Sequence, residues 1–274
     1  MNIFTSVVDY KDYFSHKQIN FIKSMIKSLM LSNSENDIDL YLICDIKSKE
    51  TIRSFLKNDC NLKAKIHIKY VDNSVFEKYG SQINSNSYRP AIYYKLFISN
   101  LFPNIDKYLW LDYDTLVTVD LNDLYNINMS GIDIYGFCDT ELPLDRIPFI
   151  NTGVVLTNAK AFREKFTIEQ IIKIFKEKCY NSEIPFIFFN CQLKLENNIF
   201  YNYPGTFIRN MHVLPPCEDY KIVLKYAAQF SKIIHFYIKD TIVKQDILEF
   251  LFEGNPFLKK NKDKLFDSLS KVFC

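Results

Sequence analysis

Short apolar runs alternate with longer segments of helical spacing along most of this chain, and that alternation restricts its fold more than any other feature. The runs fall at residues 3–8, 38–44, 66–71, 108–111, 132–137, 154–157 and 233–237. Each is short and rich in Ile, Leu, Val or aromatic residues, as strands buried within a sheet require. Between them, residues 17–31, 49–57, 92–101 and 167–180 have helical spacing, and Ile171, Ile172, Ile174 and Phe175 form one apolar stripe. Strands alternating with helices predict the α/β class.

The 274 residues are 48% apolar, enough to bury a full core, and no Gly- or Ser-rich linker divides them. One compact domain is therefore expected. A net charge of +2 creates no field that would draw nucleic acid. The six glycines form neither a Walker loop nor a G-x-G-x-x-G, which argues against P-loop ATPases and Rossmann dehydrogenases. Seven cysteines without C-x-x-C spacing suggest neither a zinc site nor a disulfide framework, so a reducing, cytoplasmic setting is expected. The first residues lack the basic and apolar segments of a signal peptide, and no run of 18 apolar residues occurs. A soluble or membrane-peripheral protein is expected.

Chemistry concentrates at Lys107-Tyr108-Leu109-Trp110-Leu111-Asp112-Tyr113-Asp114. On an extended strand Asp112 and Asp114 would share a face and Tyr113 would point away. Two adjacent carboxylates resist joint ionisation unless a positive charge lies between them. Mg²⁺ or Mn²⁺ meets that need and commonly takes one or two carboxylates together with substrate phosphate oxygens. In an arbitrary protein Asp-x-Asp is most often a solvated turn. Here it closes an apolar run, and ligand sites of α/β sheets lie at the carboxyl ends of strands.

Three segments in chain order resemble glycosyltransferase family 8: Tyr93-Tyr94-Lys95-Leu96, Trp110-Leu111-Asp112-Tyr113-Asp114-Thr115-Leu116-Val117, and Phe149-Ile150-Asn151-Thr152-Gly153-Val154. The resemblance implies a single GT-A domain over residues 1–240, with a Rossmann-like mixed central sheet flanked by helices, and a C-terminal helical extension over 241–274. It implies retaining transfer of a hexose from a UDP-sugar to a hydroxyl of a glycan, lipooligosaccharide or protein, with Mn²⁺ as cofactor and Mg²⁺ as the second candidate. The metal ligands would be Asp112, Asp114 and His235. Donor contacts would come from Thr5, Ser6, Val7, Tyr10, Lys95, Asp112, Tyr113, Asn151 and Thr152. Asp139 would hold sugar hydroxyls, and Gly153 would allow close backbone approach at a turn.

Two segments depart from the family pattern. Where the family has H-x-x-G-x-x-K-P-W, this chain has His235-Phe236-Tyr237-Ile238-Lys239-Asp240-Thr241, leaving Lys239 as the candidate diphosphate contact. The family's Asp-Gln pair, near the reacting face of the sugar, has no unique counterpart. Gln192 is the candidate in one register, and Pro185-Phe186 take that place in the other. These departures keep a second function open, a GT-A scaffold that binds a nucleotide sugar or a protein partner without efficient turnover. The tail, with Lys259, Lys260, Lys262 and Lys264 before Leu265, Leu269, Val272 and Phe273, reads as a helix packed on the domain, or alternatively one that touches a membrane surface or partner.

Overall fold

The computed structural model describes residues 1–8, 15–59, 65–83, 90–138, 150–178, 193–196, 203–204, 228–236 and 245–273. Its first third is a repeating strand–helix unit: β1 (Asn2–Val7), α1 (Ser15–Ser32), β2 (Ile38–Cys44), α2 (Ile46–Asp59), β3 (Ile66–Asp72) and α3 (Ser74–Ile83). A 3-10 helix (Pro90–Leu96) and α4 (Ile98–Leu101) lead into β4 (Lys107–Leu111). Then follow β5 (Thr115–Val117), α5 (Asn122–Tyr125), β6 (Ile134–Cys138), β7 (Ile150–Asn158), α6 (Ala159–Lys165), α7 (Ile168–Lys178), β8 (Leu193–Glu196) and β9 (Tyr203–Pro204). The chain closes with β10 (Ile233–His235), α8 (Gln245–Gly254), α9 (Pro256–Lys260) and α10 (Lys262–Phe273).

Seven strands form one mixed sheet in the order β3-β2-β1-β4-β7-β6-β8. Strands β3, β2, β1 and β4 run parallel, and β7 is antiparallel to both β4 and β6. Both faces of the sheet are covered. Leu109 and Leu111 of β4 join Ile3, Leu40 and Leu156 in one core beneath Ile22, Met25, Ile26 and Leu29 of α1. Tyr108 and Trp110, of opposite parity, join Phe4, Ile43 and Val155 against Tyr94, Phe97, Phe162 and Ile171 on the other face. Burial on both faces explains why these strands read as continuous apolar runs rather than alternating ones.

The carboxyl ends of β1 and β4 are neighbours, while the chain leaves β1 toward β2 on the other side. This is a topological switch point, where a crevice opens outside the strand ends. A second sheet, in the order β5-β10-β9, stands beside it. Within the run at 233–237, Ile233–His235 therefore belong to a separate small sheet rather than the central one. The expected helix over 92–101 divides into the 3-10 helix and α4. Tyr93, Tyr94, Leu96, Phe97 and Ile98 are all buried there, so no single stripe faces the core and no polar face supports a continuous surface helix.

The C-terminal helices form a third core with this second sheet. Leu248, Leu251, Phe252, Leu258, Leu265 and Leu269 meet Phe21, Leu116, Ile234 and Phe236. Leu265 and Leu269, read as one stripe of the tail, face inward and are fully buried. Asn255 joins the layers. Its side-chain oxygen accepts from the N–H groups of Phe257 and Leu258, capping α9, while its amide donates to the carbonyls of Ala228 (2.8 Å) and Ser231 (3.1 Å), just before β10. No helix among the described residues is long and apolar enough to cross a membrane. Asn255→Ala removes a cap and one of the two hydrogen bonds that each of the Ala228 and Ser231 carbonyls accepts, so it is expected to lower unfolding stability by about 1–3 kcal/mol in urea titrations.

Candidate functional site: an Asp-Asp-His cluster

The Asp pair lies just past β4, in a turn rather than on an extended strand. Strand β4 ends at Leu111 and β5 begins at Thr115. The N–H of Thr115 donates to the Asp112 carbonyl at 3.2 Å, closing a four-residue β-turn, and the Thr115 hydroxyl donates to the same oxygen at 2.8 Å. The expectation of strand alternation is corrected accordingly: the turn brings the two carboxylates together. Tyr113 does turn away from them. Its ring packs against the first and third cores and lies edge-on to Phe21.

His235 arrives from the second sheet. It pairs with Thr115 in the antiparallel β5–β10 ladder, and the Phe236 N–H donates to the Asp114 carbonyl at 2.9 Å. Its Nε2 lies 3.2 Å from Asp114 Oδ1 and 3.7 Å from Asp112 Oδ2. One ligand-capable atom from each of Asp112, Asp114 and His235 lies within 4.8 Å of the others. Asp114 and His235 are buried, and Asp112 is half-buried. Burial pushes the His235 imidazolium toward lower pKa, but Asp114, with help from Asp112, more than offsets this, and the group titrates above its ordinary range.

Gly153 makes room for that imidazole. A Cβ built on it would lie 2.1 Å from His235 Cε1 and 2.5 Å from Nδ1. Gly153 belongs to β7 rather than to a turn, so its missing side chain serves ring packing rather than a special backbone angle. Strand β7 is irregular at this point. Its Asn151 and Val155 pair with the consecutive β6 residues Phe137 and Gly136, so Thr152, Gly153 and Val154 form a bulge. The Gly153 carbonyl accepts from the Asp112 N–H at 2.8 Å, tying the bulge to the turn.

Lys95, on the 3-10 helix, is buried. Its Nζ donates to the Thr152 carbonyl (2.8 Å), the Thr152 hydroxyl (3.0 Å) and Asp112 Oδ1 (3.3 Å). The Thr152 hydroxyl thus gives Lys95 a partner that Ala could not. Thr5, Ser6 and Val7 end β1 beside β4, and the buried Thr5 hydroxyl has no hydrogen-bond partner among the described residues. Asn151 lies on β7. Tyr10, Asp139, Gln192 and Lys239 lie outside the described residues. Sequence reasoning missed Trp110, whose indole N–H donates to Asp112 Oδ1. The two-residue spacing before Asp112 was the available signal.

A family model described as Glycosyl transferase family 8 matches residues 9–244. The glycosyltransferase GlyF of Streptococcus pneumoniae serotype 4 is 24% identical over 159 residues, covering 57% of this chain and 38% of GlyF. GlyB of the same organism is 25% identical over 159 residues, covering 57% of this chain and 37% of GlyB. The matched stretch thus spans well under half of either relative. Among solved structures, galactosyltransferase LgtC in complex with donor and acceptor sugar analogs superposes with a TM-score of 0.64 at 15% identity, covering 97% of this chain and 100% of LgtC. GlyE of Streptococcus pneumoniae TIGR4 gives 0.63 at 17% identity, covering 96% of this chain and 63% of GlyE. At such identities the likeness is one of fold, a GT-A domain with its mixed sheet flanked by helices. Gly153→Ala is expected to displace His235, costing about 1–3 kcal/mol in denaturant unfolding.

Proposed function

The chain belongs to glycosyltransferase family 8, and from that premise we propose that it moves a hexose from a UDP-sugar to an acceptor hydroxyl, with retention of configuration and with Mn²⁺, or Mg²⁺ in its place. The observation that carries this reading is the convergence of Asp112, Asp114 and His235 beside the β1/β4 switch point. Two carboxylates and an imidazole are a donor set suited to Mn²⁺, and the Gly153 gap that seats the imidazole fits a site built to hold that ligand in place. When bound, the cation would offset the negative charge that grows on the departing diphosphate.

The other tasks fall to the chain's own groups. The nucleoside would lie along Thr5, Ser6, Val7 and Tyr10, where strand-end backbone groups read the edge of the base and an aromatic ring covers its face. Asp139 and Asn151 would accept hydrogen bonds from sugar hydroxyls, Gln192 would stand at the reacting face, and Lys239 would meet the diphosphate. The acceptor oxygen bonds to the anomeric carbon on the face from which the phosphate oxygen departs, through an oxocarbenium-like state. The acceptor's proton passes to that phosphate oxygen. The acceptor would be a glycan, a lipid-linked saccharide or a protein.

A panel of UDP-sugars tests the reading. Mn²⁺-dependent release of UDP from one UDP-hexose is expected, falling to background in Asp114→Ala. Undiminished release in that variant overturns the metal assignment. A UDP-induced thermal shift that needs Mn²⁺ but comes with no UDP release from any donor would favour the non-catalytic scaffold instead.

A further inference from the structure

One face of β4 carries Tyr108 and Trp110, and Asp112 follows two residues beyond. All three engage the 3-10 helix at Lys95. The Tyr108 hydroxyl donates to the Lys95 carbonyl at 3.0 Å, the Lys95 ammonium lies 5.2 Å from the centre of the Trp110 ring, and both Lys95 and Trp110 donate to Asp112 Oδ1. An ammonium has three N–H donors and an indole has one. With Thr152 accepting the other two Lys95 bonds, every donor of both side chains is engaged. Asp112 Oδ1 takes two of these bonds, whereas Oδ2 is the oxygen near His235.

We propose that Trp110, together with Lys95, is a positioning clamp on Asp112 that occupies Oδ1 and leaves Oδ2 to face the divalent cation. This rests on the metal reading of the cluster given above. It also changes the role of Lys95, for which the resemblance implied a donor contact: its hydrogen bonds orient the ligand carboxylate and the β7 bulge. Hydrogen bonds that orient a metal ligand commonly set metal affinity almost as strongly as the ligand itself. Trp110 isolates this effect better than Lys95 does. Removing Lys95 also removes a cation, which would draw a metal ion in and mask the loss of orientation. The indole is neutral, so Trp110→Phe deletes one donor and leaves the charge unchanged.

The competing account makes Trp110 only a core side chain, since it is almost wholly buried. That account predicts a stability loss without any change in metal affinity. Mn²⁺ calorimetry on the full chain separates the two, comparing wild type, Trp110→Phe and Asp114→Asn. The clamp predicts that Trp110→Phe weakens Mn²⁺ binding by about 10- to 100-fold. Wild-type affinity in Trp110→Phe overturns the clamp while leaving the metal site standing. Absence of Mn²⁺ binding by wild type, or undiminished binding by Asp114→Asn, overturns the metal reading instead.

Wild-type protein supplies a measurement that does not depend on the variant folding. Trp110 is the chain's only tryptophan, so its indole N–H gives one assignable ¹⁵N cross-peak. The clamp predicts a downfield, slowly exchanging signal that persists when Mg²⁺ is added. A freely exchanging indole N–H overturns it.

Discussion

The seat of His235 on Gly153 is the constraint on which the site depends. A side chain at position 153 and an imidazole at position 235 cannot share that space. The position of the ring is set in turn by the β5–β10 ladder, which begins immediately after Asp114 and is backed by the C-terminal helices. Asn255 carries this dependence further by fastening the start of α9 to the segment that enters β10. The third core is thus part of what brings His235 from one sheet to the carboxyl end of another.

The charges of the cluster make such burial tolerable. Two carboxylates at the mouth of the sheet are met by the Lys95 ammonium and by an imidazole that they hold toward its protonated form. Buried charge is costly unless it is paired and hydrogen-bonded, and each member of this group has such partners. A divalent cation taken by the cluster would supply a positive charge between the carboxylates. The same groups therefore serve folding before they serve a ligand. Lys95, which in sequence looks like one lysine among many charges, is accordingly buried.

Much of the central sheet was legible because its strands are buried on both faces and stand out as apolar runs. The runs at 38–44 and 108–111 lie within β2 and β4 almost residue for residue. Strand β5 was missed because three residues are too few for a period, and the small sheet was missed because nothing in Ile233-Ile234-His235 says which neighbours it pairs with. In the site, the Asp pair was visible as a local pattern, although its convergence arises from a turn. His235 was reachable only through resemblance to a family, since a lone histidine after a short apolar run carries no sign of a carboxylate partner 121 residues earlier. The role of Thr152 depends on side-chain directions across a bulge and a helix, which no spacing rule contains, and the two-residue spacing of Trp110 and Asp112 suggests a shared face without showing the hydrogen bond between them. Tyr10, Asp139, Gln192 and Lys239 stand on resemblance alone.

The central claim is that Asp112, Asp114 and His235 act together on one divalent cation. Electron–nuclear spectroscopy of the Mn²⁺-loaded full chain, read for nitrogen hyperfine coupling, tests it most directly. The account predicts one Mn²⁺ per chain coupled to a single imidazole nitrogen, with the coupling lost in His235→Ala. Mn²⁺ bound without nitrogen coupling, or coupling retained in that variant, would contradict it.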